Sequence, residues 1–295
     1  MASSAKPVIG LVGQGFVGKA AADNFEKRGY AVIRYALEKP YNANKDKIKD
    51  ADVVFIAVPT PTTPKGHLTH IVEEAVSLVR PGAIAVIKST VIPGTTARIQ
   101  KMFPKVIVLN NPEFLSEKTA QKDTDEPFTN IVGMPVKDAK HKKAAELVQS
   151  VIPRAPFKLI CSSIEAEIYK YAHNVNGYMQ ILTFNLLYDI AQHFGADWKS
   201  IEKAIAADPF IPNRYASPVH KTGRGAGGAC FIKDFSAFAK QHRKLVGHAK
   251  AAAFMRAAEA HNIALLAETE KDIHLLEGVY GKPVVAKARK AKKKR

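Results

Sequence analysis

The chain has 295 residues, of which 46% are hydrophobic, so it is long enough for one large domain or two smaller ones with a real core. No apolar run reaches the roughly eighteen residues of a transmembrane helix, so we expect no membrane span. Two cysteines, Cys161 and Cys230, are too few for a disulfide framework, and the N-terminus lacks the order of a secretory signal, which together predict a cytoplasmic protein with reduced thiols.

The formal net charge of +17 is concentrated at the C-terminus, where residues 282–295 carry eight positive charges. Only Ala, Val and Pro separate these charges, so we predict a disordered basic tail that is dispensable for folding. Such a tail either contacts nucleic acid or another anionic surface, or only aids solubility, and both alternatives stay open.

The first half of the chain alternates short apolar runs with helical patterns. Several of the runs are almost entirely apolar, as expected for strands of a parallel sheet that is covered on both faces. A helix is predicted over residues 20–28. The predicted strands are residues 7–12, 30–35, 53–58, 84–89, 106–109, 130–132 and 157–160.

Helical patterns dominate from about residue 163 onwards. We therefore predict a dinucleotide-binding domain over residues 1–162, a helical domain over 163–281 and the basic tail over 282–295. The predicted helices of the second domain are residues 165–193, 198–207, 233–246 and 250–277.

A glycine-rich turn follows the first predicted strand and opens the first helix. Its pattern, G-x-G-x-x-G, is typical of nicotinamide dinucleotide sites, because the glycines allow close approach of a pyrophosphate to a helix N-terminus. The residues of the turn are Gly13, Gln14, Gly15, Phe16, Val17 and Gly18.

The end of the second predicted strand departs from this pattern. An acidic residue is expected there for the adenosine ribose, but the position holds Ala36, and Glu38 lies two residues late. Arg34 and Lys39 flank the position and are compatible with a 2′-phosphate. We expect NAD as the cofactor, with NADP not excluded.

Polar segments follow the third, fourth and fifth predicted strands, at the edge where open α/β sheets bind ligands. Lys170 and Asn174 lie four residues apart in the next long helix and therefore share one face. The strand-end residues of interest are Val58, Pro59, Thr60, Ser89, Thr90, Glu113, Phe114, Leu115 and Glu117.

A second glycine-rich stretch, residues 223–228, leads directly to Cys230. A cysteine beside a flexible main chain can act as a nucleophile, and Asp234 one turn later can handle protons. The alternative from the residues alone is a tight turn before a helix that buries a small apolar cysteine. The histidines show no metal-ligand spacing, so we expect no metal site.

The segments around Glu113, Lys170 and Cys230, in this order, resemble the UDP-glucose/GDP-mannose dehydrogenase family from about residue 7 to about residue 280. The resemblance implies an α/β fold, with a Rossmann-type doubly wound parallel sheet followed by an all-helical dimerisation domain. It also implies a homodimer and an NAD-dependent, four-electron oxidation of a nucleotide-sugar C6 alcohol to the carboxylate. UDP-glucose to UDP-glucuronate is the expected reaction.

The same resemblance implies the residue roles. Cys230 attacks the aldehyde to form a thiohemiacetal and then a thioester, and Asp234 with a water takes protons. Lys170 and Asn174 stabilise the oxyanion, Glu113 assists release of the acid, and Thr90 lies near the catalytic water. The expected cofactor contacts are the glycine turn, Val58, Pro59, Thr60, Ser89, Thr90, Glu117 and Lys233. The expected substrate contacts are Glu113, Phe114, Leu115, Lys170, Asn174, Arg214, Lys221, Gly225 and Gly227.

The sequence departs from the family at three places. Residues 36–52 lack a longer insert, and Phe210 stands where the family often has a substrate-binding arginine, a role that Arg214 or Arg224 would take over. The sequence also stops where the family begins a further nucleotide-binding domain, so we expect weak substrate affinity or dependence on a partner.

Two alternatives remain. One is a two-electron hydroxyacid dehydrogenase of the 3-hydroxyisobutyrate or 6-phosphogluconate type, which needs no nucleophilic cysteine. The other is a catalytically weak family member that acts as a binding or structural protein.

Overall fold

The computed structural model describes residues 6–292 and divides into two compact units. The first unit comprises Met1–Thr60 and Leu68–Lys170, and the second comprises Pro61–His67 and Tyr171–Arg295. The division after Lys170 lies eight residues after the predicted boundary at residue 162. The sequence did not indicate that Pro61–His67 belong to the second unit.

The described residues form eleven strands and eleven α-helices. The strands are β1 Ile9–Val12, β2 Val32–Tyr35, β3 Val53–Ile56, β4 Thr62–Thr63, β5 Gly66–His67, β6 Ile84–Ile87, β7 Ile107–Asn110, β8 Thr129–Met134, β9 Phe157–Ser162, β10 Val219–His220 and β11 Gly223–Arg224. The helices are α1 Phe16–Lys27, α2 His70–Ser77, α3 Thr95–Met102, α4 Ala120–Asp125, α5 Ala139–Val151, α6 Ser163–His193, α7 Trp198–Ala207, α8 Gly228–Leu245, α9 Ala249–Glu268, α10 Ile273–Tyr280 and α11 Lys282–Lys292.

The first unit contains a seven-stranded sheet in the order β2-β1-β3-β6-β7-β8-β9. This order confirms the predicted Rossmann-type α/β fold. The sheet is parallel except at one place, where β7 and β8 pair antiparallel through Asn110 and Gly133. Two consecutive strands that pair antiparallel need no crossover connection from one end of the sheet's strands to the other. The connecting residues 111–128 therefore start and finish on the side of the sheet where β7 ends.

Two apolar clusters pack in the first unit. Leu11 and Phe55 belong to one cluster, whereas their chain neighbours Val12 and Ile56 belong to the other. Successive strand residues point to opposite faces of a sheet. A sheet buried on both faces therefore requires continuous apolar runs, which is why these strands were predictable from the sequence.

The second unit is helical apart from the hairpins β4–β5 and β10–β11. Its core includes Tyr178 and Phe235, whose rings stack with centroids 3.9 Å apart. The single helix predicted over residues 250–277 is wrong, because α9 ends at Glu268 and α10 begins at Ile273. Between them Glu270 and Asp272 have φ angles of 55° and 54°, which no α-helix accommodates. Within residues 6–292, no helix is both long and apolar enough to cross a membrane.

The predicted disorder of the basic tail is wrong over Lys282–Lys292, which form helix α11. Val285 is only 1% exposed and packs in a cluster with Ile232 and Leu266. Two valines and several alanines between the charges therefore suffice to give the helix one apolar face. The last three basic residues lie outside the described residues, and contact with nucleic acid or an anionic surface stays a prediction.

Candidate active site

The glycine turn after β1 has the geometry of a dinucleotide site. Gly13 has a φ of 94°, and a Cβ there would lie 2.4 Å from the carbonyl oxygen of Ala57. A Cβ on Gly18 would lie 1.9 Å from the Gly13 carbonyl oxygen, so the turn and helix can approach only without side chains. No atom lies within 4 Å of a Cβ built on Gly15, which leaves open space where a phosphate would approach the main chain.

The start of helix α1 adds polar groups to this turn. Gly15 is the N-cap and provides no side-chain hydrogen bond, so the N–H groups of the first turn, which includes Phe16 and Val17, face outward without a side-chain cap. Among the described residues, the buried Oε1 of Gln14 has no hydrogen-bond partner. The open main chain, the N–H groups and the helix dipole fit a dinucleotide pyrophosphate.

Arg34 at the end of β2 is held by two carboxylates of α1. Its Nη2 lies 2.7 Å from Asp23 Oδ1 and 2.6 Å from Glu26 Oε2. Ala36 is buried and Glu38 is exposed. Because the positive charge of Arg34 is already balanced by these carboxylates, this strand end favours NAD over a cofactor with a 2′-phosphate.

Side-chain hydroxyls link the ends of β3 and β6. Ser89 Oγ donates to the carbonyl oxygen of Val58 at 2.7 Å, and Thr60 Oγ1 donates to that of Thr90 at 2.7 Å. Pro59, between the linked positions, is exposed. The predicted cofactor-binding segments after these two strands therefore lie together at the carboxyl edge of the sheet.

Glu113 and Lys170 form a largely buried polar pair, with side chains 10% and 6% exposed. Lys170 Nζ donates to the main-chain oxygen of Glu113 at 2.5 Å and lies 3.5 Å from its Oε1. Glu113 Oε2 accepts from the N–H of Leu115 at 2.7 Å. The Lys170 ammonium also lies 5.1 Å from the ring centroid of Phe114, which is buried against Tyr169. The structure thus brings together four of the residues predicted to contact substrate.

Lys88 and Asn111 belong to the same region but were not singled out from the sequence. Lys88 Nζ donates to Asn111 Oδ1 at 2.9 Å, and Asn111 Nδ2 donates to the Ile131 carbonyl oxygen at 2.8 Å. Burial lowers the pKa of the Lys88 ammonium to about 8. The sequence did contain a signal for Lys88, because it directly precedes the polar residues Ser89 and Thr90 at the end of β6. Glu117, by contrast, is exposed at the start of a short 3-10 helix, Glu117–Thr119.

In the second unit, Asp234 lies at the centre of a buried polar group. Its Oδ2 accepts from Asn174 Nδ2 at 2.6 Å, and its Oδ1 lies 2.5 Å from Lys233 Nζ. The Asp234 residue is fully buried. Asn174 and Asp234, both predicted as catalytic, are therefore in contact. Lys233 pairs with Asp234, and its contact with the cofactor stays a prediction.

Cys230 is the third residue of helix α8 and is partly exposed. A helix N-terminus favours negative charge, which suits a thiolate nucleophile. Its neighbour Phe231 packs edge-on against Tyr215. Cys161 differs, because burial and the nearby Glu165 carboxylate raise the pKa of its thiol to about 11.

The glycine loop before Cys230 is held by four side chains from the end of α9 and the turn after it, which we call the loop-holding group. Its members and contacts are as follows: Asn262 bonds both the N–H and the carbonyl of Ala226, Thr269 Oγ1 accepts from Arg224, Lys271 Nζ donates to Gly223 and Gly225, and Asp272 accepts from Gly228. Sequence reasoning missed this group, since its members lie more than thirty residues from the loop, as the 36-residue separation of Asn262 and Ala226 illustrates.

The two substrate-binding glycines of the prediction have a packing role as well. Gly225 has a φ of 86°, and a Cβ on it would lie 3.0 Å from Asn262 Oδ1. A Cβ on Gly227 would lie 2.2 Å from Asp272 Oδ2. Glycine is therefore required at both positions for the loop to reach the loop-holding group.

The remaining predicted substrate contacts lie on exposed segments. Arg214 is exposed and its guanidinium stacks on Tyr215, and Lys221 occupies the β10–β11 turn with a φ of 56°. Arg224, the suggested replacement for a family arginine, pairs with Asp189 at 2.6 Å. It also donates to Asn185, so its guanidinium is engaged within its own unit.

Comparison with known proteins shows the family of the chain. Two domain models of the UDP-glucose/GDP-mannose dehydrogenase family match the chain, the NAD-binding domain over residues 38–152 and the central domain over residues 164–264. The chain belongs to this family, and NAD is the cofactor that its first unit is built to bind.

The relatives and solved structures that resemble the chain include the following. The UDP-glucose 6-dehydrogenase of Haloferax volcanii is 28% identical over 279 residues, which cover 78% of this chain and 64% of that protein. The UDP-glucose dehydrogenase structure from Pyrobaculum islandicum has a TM-score of 0.76 at 26% identity, covering 94% of this chain and 72% of that one. A 3-hydroxyisobutyrate dehydrogenase structure from Mycobacterium tuberculosis, at 15% identity, shares the fold with a TM-score of 0.67, covering 97% of this chain and 100% of that one.

The chain matches only part of the length of the curated relatives. The chain spans about half of the length of several of them, such as 48% of a Bacillus subtilis relative and 49% of the Pseudomonas aeruginosa UDP-glucose 6-dehydrogenase.

Proposed function

We propose that the protein is an NAD-dependent dehydrogenase that oxidises a nucleotide sugar at C6 to the carboxylate, with UDP-glucose as the substrate and UDP-glucuronate as the product. The observation that carries the proposal is Cys230 in the first turn of α8, directly after the held glycine loop, with the Asp234–Asn174 pair one turn later. Membership of the family supports the reaction class.

The first oxidation converts the C6 alcohol to the aldehyde, with loss of one proton and one hydride. Bound NAD supplies the hydride acceptor. Asp234, whose carboxylate is oriented by Asn174 and Lys233, takes the proton through a water. The Lys170 ammonium carries three protons, and beyond its two contacts with Glu113 it donates to the developing oxyanion.

The second oxidation depends on Cys230. Its sulfur adds to the aldehyde carbon and the thiol proton passes to the aldehyde oxygen, which gives a thiohemiacetal. Loss of that hydroxyl proton and of a hydride from the same carbon, which a second NAD accepts, gives a thioester. Water then adds to the thioester carbonyl and the C–S bond breaks, which releases the carboxylate and restores the thiol. The Glu113 carboxylate, fixed by Leu115 N–H and Lys170, assists this hydrolysis.

A two-electron hydroxyacid dehydrogenase is the second candidate, because the hydroxyisobutyrate dehydrogenase fold covers nearly the whole chain. That reaction ends at the first hydride transfer and gives no task to Cys230. The number of hydrides removed from each substrate molecule therefore separates the two candidates.

The test is a stoichiometry measurement with purified protein, NAD and UDP-glucose. We expect two NADH for each UDP-glucuronate formed. Cys230→Ser is expected to abolish acid formation, whereas Cys161→Ser, the matched control at the other cysteine, is expected to preserve it. One NADH for each product molecule, or full activity of Cys230→Ser, would reject the cysteine mechanism.

We further propose that a second copy of the chain packs on the C-terminal part of α6. Leu187 and Ile190 are 49% and 60% exposed, and Phe194, one turn further on, is 77% exposed. These side chains form an apolar stripe on one helix face, which is typical of a protein interface. Light scattering should give a dimer for the wild type and a monomer for Ile190→Glu, and a monomeric wild type would reject the dimer.

A further inference from the structure

Lys88 is a partly buried cation of the first unit to which the proposed mechanism gives no task. It follows the last residue of β6, and its ammonium group donates to Asn111, which follows the last residue of β7. Asn111 is in turn bonded to the main chain of β8. Lys88 therefore joins the ends of neighbouring strands through one amide side chain.

Two lysines hold the short segment from Asn111 to Glu113. Lys88 bonds the side chain of Asn111 at 2.9 Å, and Lys170 bonds the main-chain oxygen of Glu113 at 2.5 Å. The segment contains Pro112, which has no main-chain N–H and so cannot donate a hydrogen bond that would hold the segment. Both ammonium groups consequently contact the segment that carries the Glu113 carboxylate.

We propose that Lys88 is a positioning residue for Glu113: through Asn111 it fixes the segment that carries this carboxylate, and it supplies a second positive charge beside it. This role rests on the proposed function, since Glu113 is the residue that assists thioester hydrolysis there. Substrate contact by Lys88 is not part of the proposal.

The charge state of Lys88 makes the role testable. Burial and the Lys170 ammonium lower its pKa to about 8, while the Glu113 carboxylate opposes this effect. These are the two charged groups that act on it. Lys88 therefore loses its proton in the upper part of the neutral range, and with it the charged hydrogen bond to Asn111. Activity that depends on this bond should fall above about pH 8.

The experiment compares Lys88→Met and Lys88→Arg with Lys105→Met, an exposed control lysine. A hydrogen bond from a charged donor contributes about 1.5–3 kcal/mol, so Lys88→Met should lower kcat by about tenfold to a hundredfold with little change in the KM for NAD. Lys88→Arg should recover part of the rate, and its fall in activity should move well above pH 8 because arginine keeps its charge. A Lys88→Arg profile that still falls near pH 8 would overturn the proposal.

A second measurement does not depend on activity. Amide hydrogen exchange over residues 111–117 should be at least about tenfold faster in Lys88→Met than in Lys105→Met, because the segment has lost the hydrogen bond from Lys88. Equal exchange in the two variants would overturn the positioning role. If exchange responds as expected while the wild type oxidises no nucleotide sugar, the positioning role stands and the proposed function fails.

Stability against pH provides the third readout. The folded protein releases the Lys88 proton near pH 8, but the unfolded chain releases it near the ordinary value of 10.5. The unfolded state thus binds more protons between these values, so the free energy of unfolding should rise with pH across this window. The rise should be smaller in Lys88→Met than in Lys105→Met by the part that Lys88 contributes, and a rise of equal size in both variants would show that Lys88 does not titrate there.

Discussion

Asn174 donates a hydrogen bond of 2.6 Å from its amide to the fully buried carboxylate of Asp234. A buried charge is tolerated only when it is paired and hydrogen-bonded, and Asn174 with Lys233 meets this need. The contact therefore stabilises the fold and also fixes the group to which we assign proton transfer.

Asn174→Ala should destabilise the protein by about 1–3 kcal/mol, because it leaves a buried acceptor without its amide donor. Asn176→Ala, two residues along the same helix but exposed, is the matched control and should change stability by less than about 0.5 kcal/mol. Urea unfolding measures both. Equal effects of the two substitutions would mean that the buried bond contributes little.

The two cysteines should differ in reactivity with iodoacetamide. The Cys161 thiol, with a pKa near 11, is about one-thousandth ionised at pH 8, and the thiolate is the reactive form. Cys230 at the start of α8 should therefore be alkylated at least about tenfold faster, as followed by peptide mass spectrometry. Preferential labelling of Cys161 would contradict the assignment of Cys230 as the nucleophile.

Gly227→Ala should be destabilising by about 1–3 kcal/mol, since its Cβ would lie 2.2 Å from Asp272 Oδ2 and 2.9 Å from Lys271 Cε. Gly278→Ala serves as control, because nothing lies within 4 Å of a Cβ at this position in α10. Alanine is the better helix former, so this control should stabilise by up to about 1 kcal/mol. Thermal unfolding of both variants measures the contrast, and a stable Gly227→Ala would refute the close packing of the loop.

The cofactor preference should depend on the carboxylates that bind Arg34. In the wild type we expect higher kcat/KM with NAD than with NADP, because Asp23 and Glu26 engage the guanidinium. Asp23→Asn combined with Glu26→Gln should raise kcat/KM for NADP relative to NAD, by about tenfold if one charged hydrogen bond to the 2′-phosphate is gained. An unchanged ratio would show that Arg34 does not reach the cofactor.

The packing of helix α11 can be tested by comparing two adjacent valines of the helix. Val285 is 1% exposed and Val284 is 46% exposed. Val285→Asp buries a charge and should lower the free energy of unfolding by about 3 kcal/mol or more, whereas Val284→Asp should have little effect. Similar unfolding midpoints for the two variants would restore the original expectation that this segment is not packed.

Local patterns made much of the fold predictable. The apolar runs of the sheet and the glycine turn at Gly13 are read within a few residues, so each was visible from the sequence. The packed face of α11 was not, because the same few valines and alanines are equally compatible with an exposed helix. Only the cluster around Val285 decides between the two.

The sequence indicated the residues to which we assign the chemistry but not the residues that support them. Cys230, Asp234 and Lys170 were singled out because their side chains suit the proposed reaction, and their roles stay predictions. Lys271 was not found, since a lysine is ordinarily a surface residue, and its task depends on carbonyl groups 46 and 48 residues away. Long-range hydrogen bonds of this kind leave no periodic trace in a sequence.

The antiparallel pairing of β7 with β8 determines where the chain can gain or lose residues without a change in the sheet. The segment that carries Glu113 leaves and re-enters the sheet on the same side, and only one residue pair, Asn110 with Gly133, fixes the two strands in register. Residues can be gained or lost around the exposed positions 117–119 without shifting any of the parallel strands. This connection is thus free to vary in length, while the contacts of Glu113 with Lys170 stay in place.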